Sequence, residues 1–271
     1  MGASAICTAF VGTPSLRQLH FFPTLLPMVA FLLLLTGCAN NLGKYEYFMA
    51  EGMQNGDAIK KLVIVPMNMD APPPEYMVEG VESLEQQMRD ELEQTGRIIE
   101  RPALKDVSKL RNKITQEKMA EHSVDPSKFT KAILLEIRQD IARRLSAQYG
   151  ADAVVFSTVV LRKGKSFGRT AFWDGVSRKQ ILEISGKYSQ IFFRMSGACT
   201  GTSLWLDIYD SNGKKIFENY GGLELVHRYE VIDMMYRAIK RTDFFEDEML
   251  LKDGISVALN PFIIIKSDLV Q

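Results

Sequence analysis

"ADAVVFSTVVL", residues 151–161, decides the architecture of this chain. Its apolar side chains fall on consecutive positions instead of alternating, and Val dominates, which is the composition of a strand covered on both faces. Such a strand needs one layer above it and one below. The residues before it supply a layer. Phe129, Ile133, Ile137, Ile141, Leu145 and Tyr149 recur every four positions, so a single helix presents them as one stripe. Ser127 can cap its start and Gly150 can close its end. Further upstream, "KKLVIVPMN" (60–68) is a second continuous apolar run. Pro72 to Pro74 then stiffen a loop, and Val81, Leu84, Met88 and Leu92 share one face of a helix over 76–95 that Gly96 can end. A further strand follows at "RIIER". Strand, helix, strand, helix, strand with short connections is the pattern of an α/β layer.

Beyond residue 200 the character changes. "SLWLDIYDSNGKKIFENYGG" (203–222) has two strand-like runs around Asn212-Gly213, a hairpin signal in which both central residues take positive φ. Its strands are antiparallel. Tyr229, Ile232, Met235 or Tyr236, and Ile239 then predict a helix, "FFEDEMLLKDG" a further one, and "FIII" (262–265) an apolar tail. The fold expected is α/β: a mixed sheet of about five strands packed with helices, ending in a C-terminal helical segment. Its core domain spans 61–225 and the helical extension 226–271.

The first sixty residues read differently. From Phe21 the chain is almost wholly apolar until "FLLLLTGCANN" (31–41) turns polar after a cysteine. The run is too short and too Pro-broken for a membrane span of about 20 residues, and it fits a secretory leader better. Leu35-Thr36-Gly37-Cys38 resembles the bacterial lipobox: a Leu, two small residues, then a Cys whose thiol accepts a diacylglycerol. The resemblance implies a signal peptide over 1–37, cleavage between Gly37 and Cys38, and lipidation of Cys38. Two or three acyl chains at about 0.8 kcal/mol per buried methylene hold a protein on a membrane without spanning it. Ala39 stands where an inner-membrane retention signal has Asp, so the outer membrane, periplasmic face, is the expected site. Residues 38–60 form a tether that reaches roughly 25 Å if flexible; Tyr45, Tyr47 and Phe48 predict that part of it docks instead.

Composition limits the partners. Removing 1–37 takes away Arg17 alone, leaving 32 of 33 Lys and Arg against 33 Asp and Glu. A near-neutral chain has no basic excess of the kind that attracts nucleic acid or an anionic lipid surface. With Cys7 in the leader and Cys38 in the anchor, Cys199 has no intramolecular partner, so stability rests on an ordinary core, for which 46% hydrophobic residues suffice.

"KKLVIVPM", "ELEQTGRIIERPAL" (91–104), "AQYGADAVVFSTVV" (147–160) and "LWLDIYDSNGKKI" (204–216), in that order, resemble the TolB N-terminal-like fold shared by the curli-secretion lipoprotein CsgG and the peptidoglycan-synthase activator LpoB. The matching positions are Val63 to Pro66, Gly96, Glu100 and Arg101, Gly150 to Asp152, and Asp210 with Gly213. The resemblance covers about 60–222 and implies a module that binds other envelope components and does no chemistry. Ser157 departs from the usual Gly, and 162–190 is longer than the basic module needs. In CsgG-like proteins such insertions become membrane hairpins of an oligomeric pore. Here "KGKSFGRTAFWDGVSRKQILEISGKYSQ" (163–190) is highly charged and lacks the sustained alternation of a barrel hairpin.

Catalytic sets are thin. Gly164-Lys165-Ser166-Phe167-Gly168 reads as G-x-S-x-G, and Asp207 or Asp210 with His227 completes the chain order of a hydrolase triad, but no helical stripe follows the serine. The same "GKS" lacks the earlier glycine of a phosphate loop. His122 and His227 lie in separate segments without a second ligand at metal spacing, and both read as surface residues. "FFEDE" (244–248) reads as the solvated first turn of a helix, and "KLRNK" (109–113) as a solvated face. Trp173, Phe167 and Phe172 are large aromatics in a long loop, either clamped into the domain or used for contact, with burial the favoured role. No catalytic residue, cofactor or metal is therefore assigned. The expected function is that of a lipid-anchored periplasmic binding or scaffolding component, with its membrane and another envelope protein as partners and no nucleic acid. An oligomeric CsgG-like export component is the alternative, and a serine hydrolase using Ser166 is a second one.

Overall fold

The computed structural model describes residues 47–53, 55–69, 72–184, 195–232 and 235–265. Cys38 and Tyr45 lie outside them. The central sheet has eight strands. Six run in the order β1 (Phe48–Met49), β9 (Lys215–Leu225), β8 (Met195–Asp210), β4 (Ala153–Gly168), β2 (Lys61–Ile64), β3 (Ile98–Glu100). β5 (Thr170–Trp173) pairs with the far end of β4, and β6 (Val176–Lys179) pairs with β5. The β2–β3 and β2–β4 pairs are parallel and the β4–β8–β9 set is antiparallel, so the sheet is mixed and the expected α/β class is the one observed.

The consecutive apolar residues of β2 and β4 divide between two cores. Leu62, Ile64, Ala153 and Val155 face α1 (Val78–Gln94) and α4 (Glu248–Leu259) through Leu84, Met88, Leu92, Ile255 and Leu259. Val63, Val65, Val154 and Phe156 face α2 (Leu104–His122) and α3 (Lys131–Tyr149) through Val107, Ile114, Ile137, Ile141 and Leu145. This is the layer above and the layer below that the 151–161 run requires. α4 reaches the sheet because Gly221 and Gly254 lack side chains: a Cβ on Gly221 would lie 1.9 Å from the Gly254 carbonyl oxygen.

The residues that carry the family resemblance have structural work here. Asp152 Oδ2 accepts the backbone N–H groups of Lys60 and Lys61 at 2.8 and 2.9 Å, tying the start of β2 to β4. Arg101 pairs at 2.6 Å with buried Glu85, whose other oxygen takes the Met67 N–H. Asp210 Oδ1 accepts from the backbone of Asn212 and Lys214 and so shapes the hairpin turn.

Several expectations need correction. In the hairpin only Gly213 has positive φ (78°); Asn212 does not, because the Asp210 side chain closes a longer turn with a bulge beside it. α3 starts at Lys131 with Thr130 as its cap, while Ser127 sits in a short 3-10 turn, Pro126–Lys128, held by Asp125. α2 was not expected, since Val107 and Ile114 are its only buried side chains and "KLRNK" lies within it. The helix expected around 229–239 is instead a hairpin, β10 (His227–Ile232) with β11 (Met235–Lys240), paired from His227↔Lys240 to Ile232↔Met235. β7 (Leu182–Ile184) joins β10 in parallel to complete a three-stranded sheet. Six-residue segments are too short to separate a helical from an alternating period, and "HRYEVI" has the β-branched and aromatic content of a strand. The extension 226–271 thus begins as sheet and becomes helical only at α4. The tether docks where its aromatics predicted: β1 adds to β9 through Phe48↔Glu218, and the Tyr47 ring lies 6.4 Å from Phe217.

Candidate functional site

The hydrolase set does not assemble. Ser166 lies inside β4, paired with Gly197 on one side and Ala171 on the other, and its Oγ is buried with no hydrogen-bond partner among the described residues. A nucleophile elbow needs an exposed hydroxyl on a sharp strand-to-helix turn, and here the strand continues. Asp207 pairs with Phe156, ten ladder positions from Ser166, which is about 33 Å along the strand. Asp210 lies three positions further off and is engaged in its own turn. His227 opens β10 opposite Lys240 instead of starting a helix.

Asp207 belongs to a different constellation. It is 1% exposed, takes a charge-assisted hydrogen bond from Arg138 of α3, and holds the Lys215 ammonium at 2.8 Å. The Arg138 guanidinium lies 5.3 Å from the Phe156 ring centroid and 5.1 Å from that of Trp205, and Trp205 stacks on Tyr220 at 6.0 Å. Arg162 covers Tyr220 at 4.4 Å. Burial opposes the charge on Lys215, and hydrogen bonds to Asp207 and Glu218 outweigh it, holding the ammonium above its ordinary value. Burial, reinforced by the Asp207 charge, pushes the Tyr209 phenol up to about 12. Every strong donor here already meets an acceptor, so the arrangement clamps α3 to the sheet.

His122 ends α2, and α3 brings Glu136 to it: Nε2 and Oε2 are 3.0 Å apart. With Glu121 these are a trio whose ligand atoms lie within 4.8 Å of one another, a grouping that sequence spacing missed because its members sit on two helices. Their charge is already met by Lys118, whose Nζ lies 2.8 Å from Glu121, 3.4 Å from Glu136 and 3.5 Å from Asp140. Next along the seam, Arg144 binds Glu117.

The hydrogen bonds from Arg144 and from His122 hold the Glu117 and Glu136 carboxyls below the ordinary range. A carboxyl lowered in the folded state stabilises above its unfolded value and loses that contribution as pH falls through the folded one. Buried Glu224 has the opposite sign, since burial raises it against the pull of Arg241. The thermal midpoint is therefore expected to hold above about pH 5 and to decline below about pH 4, and Glu117→Gln/Glu136→Gln is expected to decline less steeply. Identical slopes in circular dichroism melts would rule the seam out as a source.

A groove of about 550 Å³ runs between α1 and the segment leading into α4. Glu75, Glu79, Asp90, Glu246 and Glu248 line it beside Tyr76 and Phe244, and no Lys, Arg, His or Cys side chain does among the described residues. "FFEDE" thus contributes its two rings and two of its carboxylates to a concavity, in addition to leading into α4. At its rim Lys240 Nζ lies 3.2 Å from the Tyr76 ring centroid. Chemically the groove attracts cations, and its hydroxyls, Ser83 and Thr242, have no histidine or lysine beside them in the lining to act as a base.

The three loop aromatics divide. Trp173 is buried, with its indole N–H donating to the Thr202 carbonyl at 3.1 Å. Phe172 is half-buried, and Phe167 is 79% exposed. Cys199 is free and buried beneath Trp173. Among the described residues no helix is long and apolar enough to cross a membrane. Comparison of the chain with family models, with curated proteins and with solved structures finds no match.

Proposed function

We propose that this protein is a lipid-anchored component of a bacterial envelope that binds or scaffolds a periplasmic partner. The observation that carries the reading is Leu35-Thr36-Gly37-Cys38 at the end of an apolar run, followed at once by the polar "ANNLGK". An acylated Cys38 would hold the globule against a bilayer, with β1 fixing where the tether ends on the domain. Binding is favoured over catalysis because Ser166 is enclosed in a continuous ladder, about 33 Å along the strand from Asp207. The order of short sequence motifs that resembles CsgG and LpoB supports a binding module.

The test is fractionation of cells fed labelled palmitate. The natural chain is expected in the membrane fraction with label, and Cys38→Ala is expected soluble and unlabelled. Membrane recovery and labelling that survive Cys38→Ala would overturn the anchor.

A further inference from the structure

The chain is neutral overall, yet its charges are segregated. The five carboxylates of the groove come from 75–90 and 246–248, whereas residues 153–173 contain Arg162, Lys163, Lys165 and Arg169 and no Asp or Glu. Register places much of this cationic stretch on one surface. Phe167 of β4 pairs with Thr170 of β5, which pairs with Lys179 of β6, and on its other side with Ser196 of β8. The next row is Lys165 with Phe172, Ser177 and Ala198, and beyond it Lys163 pairs with Thr200. Side chains in one row share a face, and rows two residues apart share it too. The opposite face holds Ser166, Ala171 and Arg178, then Gly164, Trp173, Val176 and Cys199, all buried. The outer face is therefore a four-stranded sheet surface with Lys163, Lys165 and Lys179 exposed around Phe167. The nearby carboxylate, Asp174, is bound to Arg162 at 2.9 Å and to Ser203 at 2.6 Å on the other side of the sheet.

We propose that this outer face of β6, β5, β4 and β8 docks on an anionic lipid surface. Three ammonium groups on one side of a sheet, with no carboxylate between them among the described residues, complement a surface of headgroup phosphates. Phe167, at the hairpin end beside Gly168 and Arg169, puts one ring into the bilayer interface, where apolar surface leaves water while the lysines stay among the headgroups. A platform for single-stranded nucleic acid stacks successive bases on several exposed rings; this face offers one, because Phe172 is half-buried. The inference does not depend on acylation, and the test removes it.

A chain that begins at residue 38 and carries Cys38→Ala, so that neither acyl groups nor the apolar leader is present, is mixed with vesicles of phosphatidylcholine alone or with phosphatidylglycerol added, and co-sedimentation is measured at low and at physiological ionic strength. Binding is expected to need the anionic lipid and to weaken with salt. At roughly fivefold per lysine removed, and with repulsion added by each glutamate, Lys163→Glu/Lys165→Glu/Lys179→Glu is expected to lose at least about 100-fold. Phe167→Ser is expected to lose severalfold with unchanged salt dependence. Near-ultraviolet circular dichroism from buried Trp173 confirms that the variants fold. No binding by the parent, or equal binding by the triple variant, overturns the proposal. So does tighter binding to a single-stranded oligonucleotide than to the anionic vesicles at the same salt.

Discussion

Trp173→Ala is expected to destabilise the protein by about 3–5 kcal/mol, the largest effect of any single truncation in the lobe at the far end of β4. The indole rests on positions that only glycine can fill. A Cβ on Gly201 would come within 2.3 Å of the ring, and one on Gly222 within 2.9 Å of its nitrogen. A Cβ on Gly164 would lie 3.1 Å from the Trp173 Cβ. Removing the ring therefore leaves a void that the surrounding strands cannot collapse into, and it strips the Thr202 carbonyl of its indole donor. The converse change tests the same contact: Gly201→Ala forces the ring away and is expected to cost about 1–3 kcal/mol or more. Urea melts followed by far-ultraviolet circular dichroism measure both. A loss below about 1 kcal/mol for Trp173→Ala would mean that the glycine bed does not fix the hairpin.

The second large effect is at Asp207. Asp207→Ala leaves the Arg138 guanidinium and the Lys215 ammonium facing each other without the carboxylate that both bind. Removing one member of a buried ion pair typically costs 3–5 kcal/mol. At this chain size that shifts the thermal midpoint by on the order of 10 °C. Arg138→Ala alone is expected to be harmful as well, since it also removes cover from the Phe156 and Trp205 rings. The double variant should be less damaging than the sum of the two, because either single change already breaks the Arg138–Asp207 pair, and the second then loses only what remains, such as the Asp207–Lys215 contact. Simple additivity in calorimetry would show that Asp207 and Arg138 act independently.

How far the residues announce this structure depends on what faces inward. β2 and the first half of β4 were legible because Val63, Val154 and Phe156 on one side and Leu62, Ile64 and Val155 on the other are all apolar. The lobe that follows was not. Its buried positions alternate as regularly, but they hold Gly164, Ser166, Arg178 and Gln180, so hydrophobicity carries no period there. Arg178 is buried because its guanidinium donates to the carbonyls of Leu223, Gly222 and Leu250 and to Asp253, partners supplied by β9 and α4. The Asp207 clamp was invisible for a related reason: Arg138 lies 69 residues away in the chain, and nothing local marks either as a partner. The acidic groove was half legible, since "FFEDE" is a contiguous cluster in the chain while Glu75, Glu79 and Asp90 of the opposite wall are dispersed.

The most direct measurement is the mass of the N-terminal peptide from protein extracted from the membranes of its own cells. The account predicts a chain that begins at Cys38, with acyl groups on the sulfur. A membrane-extracted or soluble protein that retains residues upstream of Cys38 and carries an unmodified thiol there would contradict it.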